Sequence, residues 1–347
     1  VVFMKEFVIR TSKGLRKIGS GHPTFIIAEM SGNHNQDFKK ALKIIDEAAK
    51  AGVDAVKLQT YTPDTMTINC SNKFFQVNVN KAWKGQTLYS LYKKAYTPWD
   101  WQAKLFKYAQ KKGLICFSSA FDETSVDFLE KLGCPLYKVA SFESTDIPLL
   151  KKIGATKKPV IISRGMTSLS EIRRAVRTLK KAGCPQVAVL HCVSSYPAKA
   201  EEMNLKTIPD LAKKLGVVSG LSDHSLGITA AIASVVLGGS IIEKHVTISR
   251  AEGGPDSGFS LEPSELKQLV QSVRETEKAL GKPSYAVGKK EKENLVFRRS
   301  IFVVKNVKKG SEFTKQNIRV IRPGYGLKPV LIYKVLGKKA KANIARG

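Results

Sequence analysis

Eight short apolar runs rich in β-branched residues punctuate the first 245 residues: 24–29 (TFIIAE), 55–59 (AVKLQ), 114–119 (LICFSS), 136–140 (LYKVA), 159–163 (PVIIS), 187–192 (VAVLHC), 217–222 (VVSGLS) and 239–245. Between them apolar residues recur with a period near 3.6, as in Phe38, Ala41, Leu42, Ile45, Ala48, Ala49 and in Ile172, Ala175, Val176, Leu179. That is the signature of helices with one face on a core. Gly52, Gly113, Gly133, Gly183 and Gly216 stand just ahead of strand-like runs, where a helix stops before a strand begins. Eight strand–helix units over about 250 residues predict an α/β fold, a (β/α)8 barrel, with a doubly wound open sheet as the alternative.

In such a barrel the active site lies at the C-terminal strand ends. Here those ends read Glu29, Lys57 with Gln59, Ser118 with Ser119, Lys138 with Ser141, Ser163, His191, Ser222 with His224, and Glu243 with His245. Residues two apart share a strand face, so Lys57 and Gln59 are expected to point inward together, as are Glu243 and His245. Two lysines with several hydroxyls supply charge and donors for the oxyanions of a phosphate and a carboxylate. The pattern alone leaves a lysine Schiff base open. His224 and His245 end consecutive strands and are two of only five histidines. Their equivalent positions point to a pair of metal ligands more than to two separate rim histidines.

The stretch 60–97 is long and rich in Asn, Tyr, Lys and Thr, which predicts a lid or substrate loop, or else a disordered excursion. The loop 253–263 (GGPDSGFSLEP) is the second such element. We divide the chain into a barrel domain 1–283, a charged linker 284–297 and a short β-rich domain 298–347, too small to stand confidently alone and expected to dock on the barrel or on another subunit.

Composition adds limits. A net charge of +29 invites a nucleic-acid reading, but the lysine pairs, Lys39-Lys40, Lys111-Lys112, Lys180-Lys181 and Lys213-Lys214 among them, are scattered without a stripe of interleaved aromatics. A solvated lysine-rich surface that also attracts anionic substrates is expected, with no nucleic-acid partner. Five cysteines, Cys70, Cys116, Cys134, Cys184 and Cys192, form no C-x-x-C pair, which predicts reduced thiols in a cytoplasmic protein. The N-terminus has no signal-peptide core, and the longest uncharged stretch, 225–242, is broken at Gly238, Gly239 and Ser240, so no membrane span is expected.

The segments FIIAEMSGNHNQD, AVKLQTYTPD, FSSAFDETSVDFL, YKVASFES, HCVSSYPA, GLSDHS and IIEKH, in this order and spacing, resemble the nonulosonic (sialic) acid synthase family. KKGSEFTKQNIRVIRPGYGL resembles that family's antifreeze-protein-like (SAF) C-terminal domain. TYTPD, YKVASFES and GPDSGFSLEP are closer to pseudaminic acid synthases than to N-acetylneuraminate synthases.

The resemblance implies condensation of phosphoenolpyruvate with an open-chain N-acetylated amino hexose, with release of phosphate. For a pseudaminic acid synthase the sugar is 2,4-diacetamido-2,4,6-trideoxy-altrose; N-acetylneuraminate or legionaminic acid synthesis is the alternative, and a non-catalytic basic sugar- or nucleic-acid-binding protein is the alternative of another class. The resemblance gives His224 and His245 to a divalent ion, Mn2+ or alternatively Mg2+ or Co2+. It gives Lys57, Gln59, Ser119, Lys138, Ser141, Ser194 and Ser222 to phosphoenolpyruvate, and Glu143, Tyr196, Asp256 and Arg322 to the sugar. Glu29 is the candidate for orienting or deprotonating water. The resemblance further implies a domain-swapped homodimer in which Arg322 acts in trans. Phe259 and Leu261 are expected to present an apolar wall to the sugar. The chain departs from the family pattern at Arg164, usually Thr, and at Ala120, usually Pro, and it ends at Gly347, slightly short of the usual C-terminal domain.

Overall fold

A computed structural model of the chain describes residues 6–11, 14–77 and 85–347. The chain divides into two compact units, Val1–Gly281 and Lys282–Gly347.

In the first unit, eight parallel strands close into a barrel. They follow an antiparallel hairpin, β1 (Phe7–Thr11) and β2 (Gly14–Ile18), and are β3 (Phe25–Glu29), β4 (Ala55–Thr60), β5 (Ile115–Ala120), β6 (Tyr137–Val139), β7 (Val160–Arg164), β8 (Val187–Cys192), β9 (Val218–Asp223) and β10 (Ile241–His245). All eight coincide with the apolar runs. Such strands are buried on both faces, by the lumen and by the surrounding helices, which is why their sequences read as nearly continuous apolar runs. β10 pairs with β3 in parallel, with His245 opposite Glu29, and this pairing shuts the ring.

The helical layer comprises α1 (Phe38–Ala51), α2 (Pro63–Met66), α3 (Leu88–Ala95), α4 (Trp99–Lys111), α5 (Glu123–Lys131), α6 (Ile147–Ala155), α7 (Leu169–Lys181), α8 (Thr207–Leu215), α9 (Thr229–Val236) and α10 (Pro263–Leu280). In α1 the Asp37 carboxylate accepts the N–H groups of Lys39 and Lys40, Ala41, Ile44, Ile45 and Ala48 face the core, and Gly52 ends the helix at φ 84°. In α7, Ser168 and Glu171 form a reciprocal capping box. The uncharged stretch 225–242 holds α9 and the start of β10; among the described residues no helix is long and apolar enough to cross a membrane.

The hairpin is an element that the apolar runs do not reveal. Phe7, Ile9 and Ile18 join the barrel core. The Val8 N–H donates to Gln186, just before β8, and Arg16 pairs with Asp54, just before β4. Both anchors lie at N-terminal strand ends, so the hairpin sits at the end of the barrel opposite the strand C-termini.

The second unit carries the antiparallel pair β11 (Ser300–Val303) and β12 (Ile318–Ile321) and a short helix α11 (Ile332–Val335). Its buried apolar residues are few: Ile301, Val307, Ile318 and Ala340. The segment 284–297 is not featureless, because Glu291–Phe297 form a 3-10 turn and the Val296 carbonyl accepts the Gly324 N–H at 2.8 Å.

Candidate active site

The period of two sorts the strand ends. Glu29, Lys57, Gln59, Ser119, Lys138, Ser163, Ser222, Glu243 and His245 point into the barrel, whereas Ser118 and His191 do not. Ser118 Oγ meets Thr60 Oγ1 at 2.6 Å, and His191 Nε2 meets the Met203 carbonyl at 2.6 Å; both contacts lie on the outer side of the sheet. Arg164 follows the inward Ser163 and turns outward toward His191, where its positive charge helps hold the imidazole below its usual range after burial has lowered it.

The inward groups form one connected floor. Lys57 Nζ lies 2.9 Å from Glu29 Oε2 and 3.3 Å from Glu243 Oε1, and donates to Ser119 Oγ at 3.1 Å. Lys138 Nζ donates to Ser163 Oγ at 2.8 Å and lies 3.4 Å from the same Glu243 oxygen. Ser222 donates to Glu243 at 3.2 Å. Gln59 donates to Glu29 at 2.9 Å and to Ser31 at 3.2 Å, and Ser31 donates in turn to Asp256. Ser141 and Ser194 share a hydrogen bond of 2.9 Å beside Gly165. A Cβ at Gly165 would collide with Ser194 Oγ and stand 2.7 Å from Ser141 Cβ, so glycine lets the backbone approach both hydroxyls.

Burial and pairing set the charges. Burial raises the Glu29 carboxyl against the pull of Lys57, and the Glu243 charge adds to the rise. Burial would also raise Glu243, but Lys138 and Lys57 outweigh it and hold that carboxylate well below its ordinary range. Burial lowers Lys138, and Lys57 adds to the shift, while Glu243 and Glu29 overcome burial at Lys57 and raise it. Burial pushes Glu143 up to about 7. Two carboxylates within one site are thus driven apart, as acid–base chemistry requires.

Above the floor, the rings of His224 and His245 lie 5.4 Å apart between Tyr196, 4.4 Å from His224, and Phe259, 4.9 Å from His245. His224 Nδ1 meets the Val193 carbonyl at 2.9 Å, so this nitrogen carries a proton and Nε2 is the atom turned to a ligand; burial lowers the imidazole, but the neighbouring Cys192 outweighs it and raises it above its usual range. His245 Nδ1 is buried without a hydrogen bond, its nearest acid being Asp256 Oδ2 at 3.6 Å. Burial and the neighbouring His224 hold His245 well below its usual range, which keeps it neutral. Among the described residues no three His, Cys, Asp or Glu side chains gather as a metal cage. The imidazole nitrogens of His224 and His245 could be offered to a divalent ion, with substrate oxygens and water filling its other positions.

The cavity has a volume of about 340 Å3. Glu143, Tyr196 and Asp256 line it, together with Cys192. Its apolar wall differs from expectation. Leu261 belongs to the barrel core, where its N–H donates to the His245 carbonyl, and Phe259 packs behind the imidazoles. The wall comes from the stretch 60–97: Tyr61, Met66, Val77, Leu88, Leu91 and Tyr92. That stretch folds as α2, a 3-10 turn at Lys73–Phe75 and α3, with 78–84 outside the described residues. Arg322 lies in the second unit, directly after β12. The sequence pattern did not single out Ser31 as part of the floor, and its only conformational mark, φ 48°, is invisible before the fold is known.

Residues 44–285 match the model of the NeuB family and residues 298–347 that of the SAF domain. The pseudaminic acid synthase of Campylobacter jejuni is 41% identical over 323 residues, covering 93% of this chain and 94% of that protein. The pseudaminic acid synthase of Helicobacter pylori is 40% identical over 326 residues, covering 92% and 96%. The crystal structure of the N-acetylneuraminic acid synthetase of Leptospira borgpetersenii superimposes with a TM-score of 0.73 at 35% identity, covering 84% of this chain and 95% of that one. With a matching barrel, a matching C-terminal domain and relatives aligned over nearly their whole lengths, this chain belongs to the NeuB family.

Proposed function

We infer that this protein is a nonulosonic acid synthase: it joins phosphoenolpyruvate to an N-acetylated amino hexose and releases phosphate. We further infer that the sugar is 2,4-diacetamido-2,4,6-trideoxy-altrose and the product pseudaminic acid. The observation that carries the reading is the floor itself, two buried lysines and three serines converging below two imidazoles in one barrel mouth. The apolar wall of Met66, Val77, Leu88 and Leu91 supports the finer assignment, because it suits a deoxy, methyl-ended sugar better than a hydroxymethyl tail. The fully retained charged floor argues against a non-catalytic binding protein.

In this scheme Lys57, Lys138, Ser119, Ser141, Ser194 and Ser222 hold the phosphate and carboxylate of phosphoenolpyruvate as charge and hydrogen-bond donors. Glu143, Tyr196 and Asp256 orient the open-chain sugar so that its aldehyde carbon faces C3 of the enol. The C2=C3 electron pair forms the new bond to the aldehyde carbon, whose oxygen takes up a proton, and C2 becomes an oxocarbenium centre. Water adds to C2 and gives its proton to Glu29, whose raised pKa suits a base working near neutrality. Cleavage of the C2–O bond to the phosphate then releases phosphate, which takes the proton of the new C2 hydroxyl, and leaves the keto acid. His224 and His245 would hold a divalent ion such as Mn2+, which when bound supplies Lewis-acid polarisation of the aldehyde oxygen. By family resemblance, Arg322 of a partner subunit completes the site in a swapped homodimer.

The test is phosphate release from phosphoenolpyruvate across a panel of amino hexoses, with product mass read in parallel. Release that depends on the sugar and is highest in kcat/KM for the diacetamido-trideoxy hexose is expected. Thorough chelation should abolish it and Mn2+ should restore it. Absence of any sugar-dependent release would overturn the synthase reading, and a higher kcat/KM for N-acetylmannosamine would overturn the substrate.

A further inference from the structure

Behind the two imidazoles, on the helix-facing side of the sheet, lies an ion pair with no part in the floor. Asp223 ends β9 and Lys244 lies one residue before the end of β10; the two are in register, and both side chains are fully buried. Lys244 Nζ lies 2.9 Å from Asp223 Oδ2 and also donates to the Ser225 carbonyl. The other Asp223 oxygen accepts the Ser225 N–H at 2.9 Å and the Ser225 hydroxyl at 2.7 Å. His224 therefore projects from a backbone gripped on both sides, and the His224 carbonyl is held by the Ala198 N–H at 3.0 Å. His245 directly follows Lys244 on the neighbouring strand. Because alternate residues face opposite sides, fixing the outward pair fixes the inward rings. A buried ion pair adds little net stability compared with apolar residues of the same volume, so a stabilising role alone explains this one poorly.

We propose that Asp223 and Lys244 are positioning residues: their ion pair sets the separation of His224 and His245, and so the affinity of the barrel mouth for a divalent cation. The proposal rests on the reading of those two histidines as metal ligands. Lys244→Met leaves Asp223 buried without its charge partner. Asp223→Asn keeps the shape and an acceptor for Ser225. The double variant Asp223→Asn/Lys244→Met removes both charges and so avoids an unpaired one.

The experiment is a titration of the full-length protein with Mn2+, followed by the loss of the free-ion paramagnetic signal. Inorganic phosphate binding and the thermal midpoint are measured on the same samples. Supporting residues behind a metal ligand are typically worth about 10- to 100-fold in affinity. The double variant should accordingly stay folded, keep its phosphate affinity within about twofold and bind Mn2+ at least about tenfold more weakly. Asp223→Asn serves the same comparison if the methionine variants fail to fold. Folded variants that bind Mn2+ as tightly as the wild type would overturn the positioning role and leave the metal reading intact. A wild-type chain that binds no Mn2+ would overturn both.

Discussion

The substitution Glu243→Gln removes one negative charge from between two lysines while preserving the side chain's shape. The Glu243 Oε1 lies 3.3 Å from Lys57 Nζ and 3.4 Å from Lys138 Nζ, with all three side chains almost wholly buried. At an effective dielectric near 20, each contact is worth roughly 5 kcal/mol of attraction before desolvation is counted. Most of that is offset, because the new amide is cheaper to bury than a carboxylate and Lys138, already lowered by burial, can shed its proton. Lys57 meanwhile keeps Glu29 at 2.9 Å. A net loss of about 3–5 kcal/mol remains, as when one partner of a buried pair is deleted. For a unit ending at Gly281, an unfolding entropy of about 2.1 cal/mol/K per residue converts this to a midpoint about 5–8 °C lower. The sharper expectation concerns rescue. An oxyanion seated between the lysines replaces the missing charge, so saturating phosphate should raise the variant's midpoint by more than the wild type's. Occupancy at about 100 times Kd is worth ~2.7 kcal/mol, enough to recover much of the loss. Scanning calorimetry in a phosphate-free buffer, then with phosphate, reads both effects. A variant within about 2 °C of wild type, or one that gains no more from phosphate than wild type does, would refute the assignment of this floor to an anion.

Gly165→Ala pushes a methyl into Ser194 and Ser141 and should raise KM for phosphoenolpyruvate about tenfold or more while leaving the barrel folded; an unchanged KM would remove these two serines from the phosphoenolpyruvate site. Leu91→Asn, on the apolar wall, should lower kcat/KM for the diacetamido-trideoxy hexose by about 10-fold and hardly affect N-acetylmannosamine, since one apolar contact is worth about 1–3 kcal/mol of discrimination; equal losses for both sugars would deny the wall a selective role. In the swapped dimer proposed above, inactive Arg322→Ala and Glu29→Ala proteins should regain up to roughly a quarter of wild-type activity after subunit exchange, because half the dimers are mixed and each has one intact site. A mixture that stays inactive although mass spectrometry shows mixed dimers would place Arg322 in cis or outside the site.

The sequence by itself determined eight parallel strands alternating with helices, because strands buried on both faces must be continuously apolar and their helices must carry a 3.6-residue stripe; the pairing of β10 with β3 decided for the closed barrel over the open sheet. The sequence also determined which residues stand at the strand ends. Which of them face the lumen was only partly legible: Ser118 and Ser119 are adjacent, yet one binds Thr60 outside and the other Lys57 inside. The antiparallel pair Phe7–Thr11 and Gly14–Ile18 is not legible in the sequence, because a two-stranded, half-exposed ribbon needs only Phe7, Ile9 and Ile18 as apolar anchors. Tertiary structure alone decided that Leu261 joins the core while Leu91, on the short helix α3, lines the cavity. It alone carried the Asp256–Ser31–Gln59–Glu29 chain, whose members meet across a separation of 225 residues between Ser31 and Asp256. Apolar periodicity records burial against a neighbouring layer; hydrogen bonds between polar groups distant in the chain leave no period, and only the closed ring of strands brings them together.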